Sequence, residues 1–313
     1  MNNIVFISGA ESSAQQQWLA ILKQALVTEN ILLPEKISVS QAKTIDIAIV
    51  ANPEPEVLAK YPNLIWIHSL WAGVEHLVAD IKEKPIKLVR LEDPELAKTM
   101  AESVLAWTLY LQRQMPEYSQ QQQNTQWHQL PTIASSDLRV SVLGAGVLGS
   151  ASLKILKKLD YQVSCWSKTV KQLPGINSYQ GNTGLSTMLK NTDILINLLP
   201  LTSNTHHLLN HELLSKLPQG VKLINFSRGA IIDTSALLDL LASGHIAHAV
   251  LDVFEHEPLP PNDPIWSNTN ITVLPHISAP TNMHTAAKVV AKNISSYREN
   301  GVIPNSVNVK QGY

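Results

Sequence analysis

Val140-Ser-Val-Leu-Gly144-Ala-Gly146-Val-Leu-Gly149 decides the fold. An apolar strand runs into three spaced glycines, and residues 151–159 continue as a helix. Gly144 permits the tight turn, Gly146 lets a pyrophosphate approach the backbone, and Gly149 permits close packing of helix on strand. The helix N-terminus beyond them favours negative charge. Glycines alone also mark ordinary turns, but a preceding strand and a following helix are the context a dinucleotide site requires. Downstream, apolar runs at 163–166, 194–198, 221–226, 249–254 and 271–274 recur at helix-sized intervals, the rhythm of a doubly wound parallel sheet.

The chain upstream reads as a second α/β region. Strands are expected at 4–7, 45–51 and 64–67, with another ending at Val89. An amphipathic helix at 16–26 turns Trp18, Leu19, Leu22 and Leu26 inward. Asn52-Pro-Glu-Pro55 breaks the chain after a strand, as a loop at a carboxyl end should. A long helix spans 94–115, followed by a polar surface arm at 119–126 with four consecutive glutamines, and Trp127 and Leu130 are apolar anchors for either intramolecular packing or a subunit contact. A last periodic segment, 285–297, lies beyond the final strand of the second region and is expected to cross back onto the first.

At 313 residues the chain can build two compact domains. A formal net charge of -1 offers no overall field for nucleic acid. The single cysteine, Cys165, excludes an intramolecular disulfide framework and suggests a reducing compartment. No basic region precedes a long apolar segment at the N-terminus, so a cytoplasmic protein without a membrane partner is expected.

NAD sites usually carry an acidic residue about 20 positions after the glycine turn, to bind the ribose hydroxyls. This chain instead has Trp166-Ser167-Lys168-Thr169, with Lys171 close behind. A lysine and two hydroxyls suit a 2′-phosphate, so NADPH is the preferred cofactor and NADH the lesser one. Trp166 either packs near the adenine or fills the sheet end.

Three further groups fall at the ends of successive strands. Arg228, in Asn225-Phe-Ser-Arg228-Gly-Ala, is an always-cationic five-donor group suited to the oxygens of a 2-oxo acid. Glu257 follows in Asp252-Val-Phe-Glu-His-Glu-Pro258, and His276 in Pro275-His276. A charged imidazole supplies an alcohol proton as a carbonyl is reduced, and a carboxylate partner orients and stabilises that ring.

These motifs, with Leu198-Leu-Pro-Leu-Thr202, Leu251-Asp-Val-Phe-Glu-His-Glu-Pro-Leu-Pro260 and Pro275-His-Ile-Ser-Ala279, resemble the D-isomer-specific 2-hydroxyacid dehydrogenase family over nearly the whole chain. Cys165-Trp-Ser-Lys168, Asn197-Leu-Leu-Pro200 and Asp263-Pro-Ile-Trp266 are most similar to its bacterial glyoxylate/hydroxypyruvate reductase A group. The resemblance implies two Rossmann-like α/β domains, a discontinuous substrate domain of 1–97 and 286–313 and a doubly wound cofactor domain of 98–285. It implies Arg228 as substrate-binding group, Glu257 as partner carboxylate and His276 as proton donor. Gly144, Gly146, Val147, Leu148, Gly149, Leu199, Pro200, Thr205 and Asp252 join Trp166, Ser167, Lys168, Thr169 and Lys171 on the cofactor side. Ser69-Leu-Trp-Ala-Gly73 is the implied carboxylate loop, presenting the backbone of Ala72 and Gly73, with Trp71 either covering the substrate or belonging to the core. Thr205 either guides the cofactor loop or caps the helix after it. Asp252 either lies near the carboxamide or orients its own loop.

The resemblance implies a homodimer, and the expected activity is reduction of glyoxylate or hydroxypyruvate with NADPH. An NAD-linked dehydrogenase of a bulkier acid and a non-catalytic nicotinamide-responsive regulator are the alternatives. His206, His207 and His211 lack recognisable ligand spacing, and no metal site is expected.

Overall fold

The computed structural model describes residues 2–82 and 84–309. The chain divides into two compact units, Met1–Glu95 with Thr281–Tyr313, and Leu96–Pro280. The crossings thus fall a few residues before 97 and 285, the first within the opening turn of the helix Pro94–Gln112 and the second just ahead of the helix Met283–Asn300.

In the first unit the order is β1 (Asn2–Ser8), α1 (Ser12–Ala25), β2 (Glu29–Leu32), α2 (Val39–Ala42), β3 (Ile47–Ala51), α3 (Pro55–Leu58), β4 (Trp66–Ser69), α4 (Glu75–Ile81) and β5 (Lys87–Val89). The described strands form a parallel sheet in the order β2-β1-β3-β4-β5. β3 is buried along its whole length, which is why Ile47-Ala-Ile-Val-Ala51 reads as a continuous apolar run rather than an alternating one.

α5 (Pro94–Gln112) leads into the second unit. There follow α6 (Met115–Gln123), β6 (Arg139–Leu143), α7 (Val147–Lys158), β7 (Gln162–Trp166), β8 (Asn177–Tyr179), α8 (Gly181–Leu189) and β9 (Ile194–Asn197). α9 (His211–Leu214), β10 (Val221–Asn225), α10 (Thr234–Ala242), β11 (Ile246–Leu251) and β12 (Ile271–Val273) complete it. The parallel order is β12-β11-β10-β9-β6-β7-β8. The chain builds outward from β6 in one direction and then in the other, so the reversal lies between β6 and β9, where open α/β sheets bind ligands.

α11 (Met283–Asn300) returns to the first unit. Its Ala286, Ala287, Val290 and Ile294 are buried with Trp18, Leu19 and Leu22 of α1. Arg298 holds the far end by ion pairs to Glu29 and Asp46. Among the described residues no helix is long and apolar enough to cross a membrane.

Four local expectations change. The segment read as a helix to residue 115 and then a polar arm is two helices. Gln114, in the left-handed conformation at φ 55°, ends the first, and Pro116 starts a second through the glutamines. Trp127, read as an anchor for either intramolecular packing or a subunit contact, is fully exposed within the chain, which removes the first of the two. The short strands β2 and β8 escaped the periodicity because neither carries a long apolar run. The expected strand at 249–254 starts earlier, at Ile246, and stops at Leu251, which frees residues 252–254 for the loop below.

Candidate active site

The glycine turn fits a dinucleotide on its own geometry. Gly144 has φ 96°, and a side chain there would meet the Leu198 carbonyl oxygen at 2.6 Å. A Cβ on Gly149 would stand 1.8 Å from the Gly144 oxygen, so only glycine lets α7 start this close to β6. At Gly146 a Cβ meets nothing within 4 Å, leaving the backbone face open. The first intrahelical bond runs from Ser150 N–H to Gly146 O. The amides before it, including those of Val147 and Leu148, point out of the helix end toward any anion placed there.

The loop at the end of β7 is tightly organised. Ser167 N–H donates to Tyr179 O, and Ser167 Oγ donates to the Thr169 carbonyl at 2.7 Å. Lys171 N–H donates to Ser178 Oγ at 2.8 Å, holding this stretch beside β8. The Trp166 indole N–H donates to Gly181 O at 2.9 Å and its ring packs on the core, so it fills the sheet end. The Lys168 ammonium stands in this basic stretch, and no acidic side chain occupies 166–171.

The loop after β9 is closed by Thr205. Its hydroxyl donates to Pro200 O at 2.7 Å and accepts from Thr202 N–H at 2.8 Å, which makes it a loop brace. Leu199 is buried, and its carbonyl accepts from the Ser227 hydroxyl. Beneath these loops lies a polar layer that the sequence reading missed. Asn197 Nδ2 donates to Asn225 Oδ1 at 2.9 Å, and Asn225 Nδ2 donates to Arg228 O at 3.1 Å. Both asparagines are buried at strand ends, and the signal was an amide closing an otherwise apolar run. They set the loop that carries Arg228, whose guanidinium donates to Ser227 O at 2.7 Å.

Gly229 brings that loop onto the next. A Cβ at Gly229 would lie 1.9 Å from Phe254 C and 2.2 Å from Glu255 N. The loop after β11 is therefore seated directly against the Arg228 turn. There Glu257 Oε1 accepts from Phe254 N–H at 2.9 Å while Oε2 meets His276 Nδ1 at 2.8 Å. The carboxylate is held at one oxygen and used at the other. It fixes Nδ1 as the protonated nitrogen facing it, leaving Nε2 as the free edge of the ring. The pair is half-exposed, 53% for the histidine side chain and 36% for the glutamate.

His276 takes a left-handed backbone, φ 56°, a conformation costing an L-residue roughly 1 kcal/mol or more. Asp252 enforces it. The Asp252 carbonyl accepts from His276 N–H at 2.9 Å, and its buried carboxylate accepts from Ile277 N–H at 2.6 Å, Ser278 N–H at 2.9 Å and Ser278 Oγ at 2.5 Å. Of the two readings open for Asp252, loop orientation is the one its contacts serve.

The Ser69–Gly73 loop belongs to the first unit. Trp71 N–H donates to Ser69 Oγ at 3.0 Å, and the Trp71 ring stands edge-on to Trp18 at 6.0 Å, part of the core rather than a cover. Behind it His68 is wholly buried. Its Nδ1 bonds Ser69 O at 2.9 Å and its Nε2 meets Asn293 Nδ2 at 2.9 Å. Burial pushes this imidazole down to about 4, against the opposing pull of the Ser69 carbonyl. Arg90 pairs with Glu92 at 3.1 Å. Of the three clustered histidines, His211 stands apart on α9 beside Ser215, whereas His206 and His207 meet Glu255.

A parallel sheet with an open glycine turn at its reversal, and an Arg, a Glu–His pair and their supports at the neighbouring strand ends, defines a dinucleotide-binding oxidoreductase. Residues 105–278 match the family model described as D-isomer specific 2-hydroxyacid dehydrogenase, NAD binding domain. A D-isomer specific 2-hydroxyacid dehydrogenase from Xanthobacter autotrophicus Py2, solved with NADPH and MES, is 34% identical with a TM-score of 0.92, covering 100% of this chain and 99% of that one. A family protein from Klebsiella pneumoniae 342 is 33% identical, TM-score 0.88, covering 99% and 98%. The NADPH-dependent glyoxylate/hydroxypyruvate reductase of Sinorhizobium meliloti, solved with NADP and sulfate, is 27% identical, TM-score 0.91, covering 100% of both chains. The chain belongs to the D-isomer specific 2-hydroxyacid dehydrogenase family and is an enzyme of that class.

Proposed function

We propose that this enzyme reduces a short 2-oxo acid, glyoxylate or hydroxypyruvate, with NADPH. The observation that carries the reading is the Glu257 carboxylate shared between Phe254 N–H and His276 Nδ1, on the loop that Gly229 seats against Arg228. Bound nicotinamide supplies the hydride. Arg228 binds and polarises the oxo group, steadying the negative charge that grows on its oxygen. His276, charged and held through Nδ1, delivers its Nε2 proton to that oxygen, and Glu257 balances the imidazolium. Asp252, Asn225 and Asn197 position these groups. Ala72 and Gly73 are assigned the substrate carboxylate through backbone N–H groups, which makes the first unit the substrate domain.

On the cofactor side, Gly144, Gly146, Val147, Leu148 and Gly149 take the pyrophosphate, and Ser167, Lys168, Thr169 and Lys171 take the 2′-phosphate. Trp166, Leu199, Pro200 and Thr205 shape the walls. The missing acidic ribose acceptor and the nicotinamide phosphates bound by two of the relatives support NADPH over NADH. A cytoplasmic homodimer completes the reading, with the fully exposed Trp127 supporting a subunit contact.

The test is a steady-state matrix of glyoxylate, hydroxypyruvate, pyruvate and a bulkier 2-oxo acid, each with NADPH and NADH, for the native enzyme and Lys168→Ala. The two short acids with NADPH should give the highest kcat/KM, and Lys168→Ala should depress NADPH use far more than NADH use. A native preference for NADH, or equal loss with both cofactors, refutes the phosphate assignment. Inactivity throughout, with nicotinamide still bound, refutes the reductase reading.

A further inference from the structure

We infer that His206, His207 and Glu255 form a binding site for one divalent transition-metal ion of the zinc class. His206 and His207 are neighbours in the chain and Glu255 is distant from both, and the fold joins them from two loops at the carboxyl edge of the second sheet. One donor atom from each, a ring nitrogen of either histidine and a carboxylate oxygen, lies within 4.8 Å of the others.

Three features hold this arrangement. His207 N–H donates to Ala230 O at 2.8 Å, tying the first loop to the turn after Arg228. Gly229 admits the backbone of Phe254 and Glu255, which ties the second loop to the same turn. The two imidazoles stack with centroids 4.1 Å apart and planes 29° from parallel, so their edges are presented side by side.

His207 carries the independent sign of a missing ligand. Its Nε2 is shielded from solvent and makes no hydrogen bond among the described residues, and it faces Glu255 Oε2 at 3.6 Å, beyond a hydrogen bond. A shielded ring nitrogen without a hydrogen-bond partner is costly. His207 also occupies the left-handed backbone region, at φ 47°, which an L-residue enters at a cost. An ion on Nε2 would satisfy the nitrogen and neutralise the carboxylate together.

The donor set selects the ion. Two imidazoles and one carboxylate suit zinc, nickel or copper, whereas magnesium and calcium require oxygen ligands. Bonds of about 2.0–2.2 Å bring such donors to roughly 3.3 Å of one another, so donors within 4.8 Å close by up to about 1.5 Å on binding. Glu255 and His206, both exposed, have the freedom to move. Three protein ligands leave the fourth position to water.

The test uses full-length protein without a histidine tag, stripped with chelator and dialysed. Zn2+ is titrated by calorimetry and Co2+ by its visible absorption, with Mg2+ as control. One Zn2+ should bind per chain, Co2+ should give the spectrum of a nitrogen- and oxygen-bound site, and Mg2+ should give no heat. His206→Ala, His207→Asn and Glu255→Gln should each weaken Zn2+ binding at least tenfold, while His276→Asn leaves it unchanged. Asparagine tolerates the left-handed backbone at 207, and His206 is exposed, so these variants are expected to melt as the native protein does. Absence of saturable binding, affinity as native in the three variants, or loss on His276→Asn instead would overturn the assignment.

Discussion

The two units begin in the same way and diverge at two positions that decide the helix start. β1 and β6 each run into a glycine at the reversal of their sheets. Gly9 approaches the Asn52 carbonyl oxygen, 2.4 Å from where its Cβ would be, much as Gly144 approaches that of Leu198. An alanine follows in both. Then the helix starts differ: Glu11 is the cap residue of α1 where Gly146 is that of α7, and Ala14 stands where Gly149 does. Both turns solve the backbone problem of entering a helix at a switch point. Only one leaves a bare backbone for a phosphate, and the other puts a carboxylate there. Shared architecture therefore does not confer a shared site.

The buried and exposed histidines repeat the contrast. His68 has both ring nitrogens engaged and is kept neutral by burial, while His276 is anchored at one nitrogen and open at the other. The sharpest test of this difference is His276→Asn. Asparagine accepts the left-handed backbone but cannot donate an imidazolium proton. Turnover should fall by about 10²–10⁴ while cofactor affinity, read by fluorescence titration, stays native. Near-native turnover would make His276 a structural residue like His68.

A transplant breaks the comparison between the turns. Gly146→Glu gives the second unit the residue of the first, and its side chain projects into open space. A carboxylate about 4 Å from a phosphate, at an effective dielectric near 20, opposes it by about 4 kcal/mol. Cofactor affinity should drop by about 10²-fold or more with little change in melting temperature. Retained affinity would mean that the glycine face is not the phosphate site.

Acid should weaken both units through one histidine each. Burial holds His68 at about 4, and desolvation does the same to His248, against an ordinary value of 6.5. Between those values the unfolded chain binds more protons than the native one. Stability is therefore full above about pH 6.5 and is lost as pH falls toward 4, by on the order of 3 kcal/mol for each residue. Urea midpoints at pH 7 and pH 4.5 measure this, and equal midpoints would show that neither imidazole stays neutral in the folded protein.

Much of the molecule was legible in one dimension because its information is local. A buried parallel strand is an apolar run, a helix is a 3.6-residue period, and the glycine turn is contiguous, so the sheet rhythm and the nucleotide turn could be read directly. The failures were also local in cause. The glutamine helix α6 has no apolar period, and its start is set by a left-handed Gln114 and Pro116. Asn197 and Asn225 look like strand residues until the two strands stand side by side.

From residue order alone came the class of fold, the place of the glycine turn and the choice of Arg228, Glu257 and His276 as candidates, since each rests on residue type in a short context. Only the tertiary structure decided what those groups touch. Glu257 reaches His276, Asp252 sets the loop that bears it, and His206 and His207 meet Glu255. Each of these contacts joins loops from different strands, and their spacing comes from sheet order and from the close approach at Gly229, which no linear pattern records.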